Sequence, residues 1–337
     1  MTLNAKYAAL IVAAAIVAVL VAIAVWTIVP HDSSRPVVYI VYDSAKGDLS
    51  YSDSAYRGLF EAQENLSFDK REFTSLNAGT VAGLLDGSSG TQDQKPGLVI
   101  TVGYTYANMT ASLARAHPEI RFLAIDQAGI GSQNVKAYEI TSYGESYLAG
   151  VLAATATKSG HTGIILGTQS SLLEAFRQGY EDGAKAVNPA IRIDEKYVRD
   201  NSTAGFRDPT RAAEIARTMY GSGADVIYTV AGYSGTGAIE EAKTAPGRYI
   251  IGVDSDQTDL GPDVVLASAV KQVDGAVYSG IAEQLNGTFT GGEETAGLKD
   301  GVTALVFNPK FESYNATVSA WVEKAEAAEA GYVAGNR

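Results

Sequence analysis

Cysteine is absent from all 337 residues. Its absence excludes disulfide staples, zinc–thiolate centres, thiol catalysis and a lipid-bearing N-terminal cysteine. Histidine is nearly as scarce, with only His31, His117 and His161. None of the three has a nucleophile or metal-ligand partner nearby in sequence, and each reads as a surface residue. Basic charge is also short: 26 Lys and Arg face 38 Asp and Glu, for a net charge of −12. An acidic surface repels phosphate backbones, so nucleic acid is not an expected partner. The nucleophile elbow G-x-S-x-G, the metal motif H-E-x-x-H and the Walker loop are all missing. Without a nucleophile–base pair or a metal or cofactor motif, the chain reads as a binding protein and not an enzyme, with a hydrolase as the weakest alternative.

What is present begins with an apolar run at residues 7–29 (YAALIVAAAIVAVLVAIAVWTIV), uncharged throughout and flanked by Lys6 and by Pro30, His31 and Asp32. A run of about 20 apolar residues spans a bilayer as a helix. Trp26 sits near its outer end, where aromatic side chains favour the interface. A transmembrane anchor is expected, with a signal peptide cleaved after Ala22-Ile-Ala24 as the alternative. Five N-x-[ST] sequons at Asn65, Asn108, Asn201, Asn286 and Asn315 suit an exported, glycosylated chain at the cell membrane with its binding domain outside the cytoplasm.

After a short linker, residues 32–36, apolar strands alternate with amphipathic helices. Strands are predicted at Val37–Tyr42, Gly97–Val102, Ile120–Ile125, Thr162–Leu166, Ala224–Val230 and Arg248–Val253. Helices are predicted at Ala55–Asn65, Ala107–Ala116, Glu145–Thr157, Leu172–Asn188 and Thr236–Lys243. This α/β alternation implies parallel sheets covered by helices on both faces. Ligands of such sheets lie at the carboxyl ends of the strands. Here several strands end in polar residues or Gly, at Asp43, Gly103-Tyr104, Asp126 and Asp254. The Gly-rich loop Gly232–Gly237 follows a strand and opens a helix. It can hold a phosphate at the helix N-terminus, or form a tight turn that brings main-chain N–H groups close to a ligand.

Taken in order, several segments resemble the basic membrane protein family of solute-binding proteins, which includes the purine nucleoside receptors of ABC importers. The strongest are Tyr147–Ala154, Phe176–Pro189, Ala231–Gly237 and Ile251–Gln257. Gly223–Ile227 and Lys271–Asp274 add to them, and the match runs from about residue 37 to 310. The resemblance implies a type I periplasmic-binding-protein fold, with two Rossmann-like lobes joined by hinge strands. Lobe 1 is expected at 37–128 plus 268–300, and lobe 2 at 129–267 plus 301–337.

Carried over residue by residue, the family pattern implies a cleft in which Tyr51 and Phe206 sandwich a purine and Asp126 reads the base. Asp254 and Lys271 would hold the ribose hydroxyls. Asp43, Ser50, Ser52, Gly103, Tyr104 and Gly232 complete the expected site. The chain departs from the pattern at Tyr51, where the family has Phe, and at Ser52, where it has Asn. The Gly-Gly pair is also missing, since Ser44-Ala45-Lys46-Gly47 stands there. The expected function is capture of a small molecule, a purine nucleoside, for delivery to an ABC permease. No cofactor is implied. A sugar, a vitamin or another small polar ligand in the same fold is the alternative, as is a sensory ectodomain working through a partner.

Overall fold

The computed structural model describes residues 35–88 and 94–335. The expected membrane segment at 7–29 and His31 lie outside them. Among the described residues no helix is long and apolar enough to cross a membrane. Four of the five sequon asparagines are exposed, and Asn315 is half-buried.

In chain order the first half runs β1 (Val37–Tyr42), α1 (Tyr51–Asn65), β2 (Asp69–Thr74), α2 (Ala78–Asp86), β3 (Leu98–Val102), α3 (Ala107–Ala116), β4 (Arg121–Ile125) and β5 (Val135–Ile140). The second half runs α4 (Tyr143–Ala156), β6 (His161–Leu166), α5 (Ser171–Val187), β7 (Arg192–Tyr197), α6 (Pro209–Gly221), β8 (Val226–Val230), α7 (Gly235–Ala242), β9 (Tyr249–Asp254) and β10 (Val265–Lys271). Then come α8 (Val273–Asn286), β11 (Gly292–Ala296), β12 (Thr303–Phe307), α9 (Asn315–Ser319) and α10 (Val322–Gly335).

Two six-stranded sheets result, with strand orders β11-β5-β4-β3-β1-β2 and β12-β10-β9-β8-β6-β7. Every pairing is parallel except β10 with β12. β1, β3, β6 and β8 are buried along their whole length, because helices cover both faces. Position by position the two orders correspond: β4 stands in the first sheet where β9 stands in the second, and β3 where β8 stands. The repeat spans a whole lobe.

The chain crosses between sheets three times: at Thr141–Ser142, at Gln272, and between Ala296 and Thr303. These positions correct the expected boundaries. β5, expected in lobe 2, pairs with β4 in the first sheet, and β10 ends in the second sheet at Lys271. The reason is visible in β5 (VKAYEI), whose alternating polar residues hide a strand from a search for apolar runs. Glu329 in α10 ties two crossings together. Its carboxylate accepts hydrogen bonds from Thr141 Oγ1 (2.7 Å) and from the amides of Gly144 (2.9 Å) and Leu298 (3.0 Å).

The two described histidines are buried, against expectation. His161 Nε2 lies 3.0 Å from Asp194 Oδ2, and His117 Nε2 lies 3.5 Å from Asp86 Oδ1. Each sits where a strand begins or a helix ends, covered by the neighbouring turn.

Candidate ligand cleft

The carboxyl ends of both parallel sheets face a cavity of about 580 Å³. From the first lobe it is lined by Asp43 after β1, by Gly103 and Tyr104 after β3, by Asp126 after β4 and by Tyr51 at the start of α1. From the second lobe come Phe206, Gly232, Asp254 at the end of β9, and Lys271 at the end of β10. Ser50 and Ser52 do not line it. Ser50 Oγ donates to Asp254 Oδ2 (2.5 Å), and Ser52 Oγ pairs with Ser44 Oγ (2.8 Å).

Local structure sets each of these side chains. Asp126 and Asp254, at matching positions in the two sheets, both adopt left-handed backbone, with φ of 57° and 62°. A non-glycine residue in that region is strained, and such strain gathers at binding sites. The turn aims both carboxyls into the cleft. Asp126 Oδ1 accepts the Ile140 amide (3.2 Å), and its Oδ2 accepts Lys271 Nζ at 2.6 Å, a pair buried on both sides. Gly103, at φ 117°, passes so close to Asp43 that any side chain there would collide with the carboxylate. Asp48 accepts the amides of Ser50, Ser52 and Asp53 and so starts α1, which carries Tyr51.

On the opposite wall Ser234 is buried. Its Oγ donates to Gly205 O (2.7 Å) and accepts the Asp208 amide (2.7 Å). Asp208 caps α6, and Pro209 occupies the first turn. These bonds fix the loop that carries Phe206, whose ring packs over Gly167. The Gly-rich loop serves packing at one end and the cavity at the other. Gly237 sits against the Pro209 main chain, where a side chain would have no room. Gly232, at φ 53°, lines the cavity beside Phe206.

The electrostatics are dominated by carboxylates. Burial raises Asp43 to about 6, against opposing hydrogen bonds from Thr105 and Ser44. Burial likewise raises Asp254 to about 6, while the Ser50 bond and the Lys271 charge pull it down. Burial next to Asp126 and Asp43 pushes the Tyr51 hydroxyl well up. Lys271 Nζ lies 5.8 Å from the Tyr51 ring centre and 5.6 Å from that of Phe176, so two aromatic faces hold the ammonium. Lys271 and Asp254, expected together at the ribose end, both line the cavity, and the lysine charge acts on Asp254, but each has its direct hydrogen-bond partner elsewhere. Asp126 takes the lysine and Ser50 takes Asp254, because Lys271 at the crossing strand reaches the first lobe. Asp256, next to the cleft, only caps the following turn through the Thr258 amide (2.9 Å).

Sequence reasoning missed Phe176, Leu172, Leu173, Arg207 and Tyr233 as lining residues. Phe176 lay inside a recognised motif, but a helical Phe reads as core. Arg207 donates across the cleft mouth to the Ala45 carbonyl, and its place next to Phe206 was the available signal.

A two-lobed α/β receptor with a polar cleft at opposed strand ends is a solute-binding protein in architecture. The chain matches the Bmp family, described as ABC transporter substrate-binding protein PnrA-like, over residues 35–330, and it belongs to that family. It is 32% identical over 285 residues to basic membrane protein A1 of Borrelia garinii subsp. bavariensis, covering 83% of this chain and 82% of the relative. It is 33% identical over 273 residues to the ABC transporter nucleoside-binding protein BmpA of Lactococcus lactis subsp. cremoris, covering 75% and 76%. Among solved structures, a solute-binding protein of an ABC transporter system from Aeropyrum pernix K1 superimposes with a TM-score of 0.72 at 28% identity, covering 85% of this chain and 80% of the other.

Proposed function

We propose that this chain is an extracytoplasmic receptor that closes on a purine nucleoside and presents it to an ABC permease, tethered by its N-terminal apolar segment. The observation that carries the ligand class is the composition of the cleft. Tyr51 and Phe206 supply ring faces from opposite lobes, and three carboxylates, Asp43, Asp126 and Asp254, offer acceptors around them. A planar heterocycle bearing hydroxyls and N–H groups satisfies both features. Charge-assisted hydrogen bonds to such carboxylates contribute about 1.5–3 kcal/mol each.

The same acidity disfavours a phosphorylated ligand, whose charge would meet those carboxylates with only Lys271 and Arg207 to offset it. The nucleoside-binding name of the Lactococcus relative supports the class. No catalytic role is proposed for the cleft. The direct test is mass spectrometry of whatever leaves the freshly purified protein on unfolding. Recovery of a purine nucleoside at near-stoichiometric amounts is the expected result. Recovery of a sugar or vitamin instead would replace the ligand and keep the receptor.

A further inference from the structure

Glu145 lies in the first turn of α4, directly after the first crossing, and is fully buried. Neither carboxyl oxygen makes a well-formed hydrogen bond, although the Thr303 hydroxyl and the main-chain amide of Glu145 lie close. The hydroxyls of Ser142, in the same turn, and of Thr303, at the start of β12, are buried without partners as well. These groups stand where the chain passes between the lobes. Around Glu145, α10 contributes Glu329, β10 contributes Lys271 and β8 contributes Tyr228. α5 contributes Phe176 and Tyr180 to the same core, and its charged Asp182 is taken by the Tyr143 hydroxyl (2.6 Å).

A carboxylate in this position is buried without the donors it needs, so the neutral acid is favoured. Burial first, and then the charge of Glu329, raise Glu145 to about 8, while Lys271 pulls the other way. Lys271 in turn donates a hydrogen bond to Asp126 (2.6 Å), across the cleft. A ligand that donates to Asp126 competes for that carboxylate and strips counter-charge from the lysine. Glu145 rides on the same lobe as Lys271.

We propose that Glu145 is a positioning residue for the ligand site, acting through Lys271: it stays protonated while Asp126 holds the lysine, and ionises when a ligand draws on Asp126, so that its carboxylate steadies Lys271 against the ligand. This inference rests on the reading of the cleft as the ligand site. Binding then releases a proton from Glu145. Raising the pH favours a proton-releasing step, so affinity climbs as pH rises toward 8. It levels off above that, where the free protein has already lost the proton. One released proton changes affinity at most about tenfold per pH unit.

The experiment is calorimetric titration with inosine from pH 5 to 9, in buffers of different protonation enthalpy, on the wild type and on Glu145→Gln. The amide keeps the neutral acid's shape and has no proton to release. We expect the variant to match the wild type near pH 6 and to bind roughly tenfold more weakly at pH 8. It should lose the upper part of the pH profile and keep the lower part, which belongs to Asp43 and Asp254. A variant that retains the upper part, or that folds yet binds nothing at any pH, overturns the role of Glu145. Failure of the wild type to bind inosine at every pH would instead strike the ligand reading. In the ligand-free protein, infrared difference spectra between pH 7 and 9 should show loss of a protonated carboxyl band that is missing in Glu145→Gln. An unchanged band in both proteins counts against the proposal whatever the ligand.

Discussion

Lys271 Nζ lies 2.6 Å from Asp126 Oδ2, joining the last residue of β10 in one lobe to the residue after β4 in the other. Both side chains are shut off from solvent, at 2% and 0% exposure, so each is the other's main compensation for burial. Removing one partner strands the other. Lys271→Met and Asp126→Asn are each expected to destabilise the ligand-free protein by about 3–5 kcal/mol, whereas a double replacement by apolar residues should cost less than the two single losses together. Urea unfolding of the four proteins measures this. Additive losses, or single losses under about 1 kcal/mol, would show the pair to be dispensable.

Phe206 is half-buried, lines the cavity and rests on a loop held by Ser234, so a stacking role proposed for its ring can be tested by truncation. Phe206→Ala is expected to weaken nucleoside binding by about 2 kcal/mol, roughly thirtyfold in Kd, with little change in unfolding temperature. Equal binding by variant and wild type in a fluorescence or calorimetric titration would remove the stacking role.

Asp43 and Asp254 are both raised to about 6, and this gives two effects of opposite sign. In the ligand-free protein the folded state holds these protons more tightly than the unfolded chain does. Their contribution to stability therefore falls as pH rises from about 4 to about 6. Ligand donors stabilise the ionised carboxylates, so binding strengthens over the same rise into neutrality. Thermal unfolding with and without ligand at pH 5, 6 and 7 checks both: the gap between the two curves should widen with pH. A constant gap would mean that neither carboxylate meets the ligand.

Gly103 holds φ 117° with the Asp43 carboxylate lying where a side chain would stand. Gly103→Ala is expected to lose about 2 kcal/mol or more of stability from backbone strain and to displace Asp43 from the cleft. A variant of wild-type stability and affinity, by unfolding and titration, would mean that the turn tolerates a β-carbon.

The legible part of the fold was its apolar centre. β1, β3, β4, β6, β8 and β9 are short buried runs, and most helices between them show one apolar face. Most of the strands overlooked are polar edge strands; β10 (VLASAVK), a buried interior strand, was overlooked as well. β2 (DKREFT), β7 (RIDEKY) and β11 (GEETA) each have one side open to solvent and carry charges there. Missing them, and the alternating β5, shifted the expected lobe boundary by one strand. For the cleft, residues at strand ends were readable because parallel sheets gather their ligand groups there. Hydrogen-bond partners were not readable. Nothing in the order of residues tells that Lys271 reaches Asp126 and that Ser50 takes Asp254, since both bonds depend on how the two sheets face each other. Glu145 escaped notice for a related reason. Its place in an apolar helix reads as an outward-facing charge until the helix is seen to be buried on all sides.

The receptor role is tested most directly by calorimetry on protein freed of ligand by unfolding and refolding, titrated with inosine, guanosine and adenosine, alongside Asp254→Ala. Micromolar or tighter binding of at least one of the three, abolished by the substitution, is the predicted result. No heat with any of them, or undiminished affinity in Asp254→Ala, would contradict a nucleoside held by this cleft.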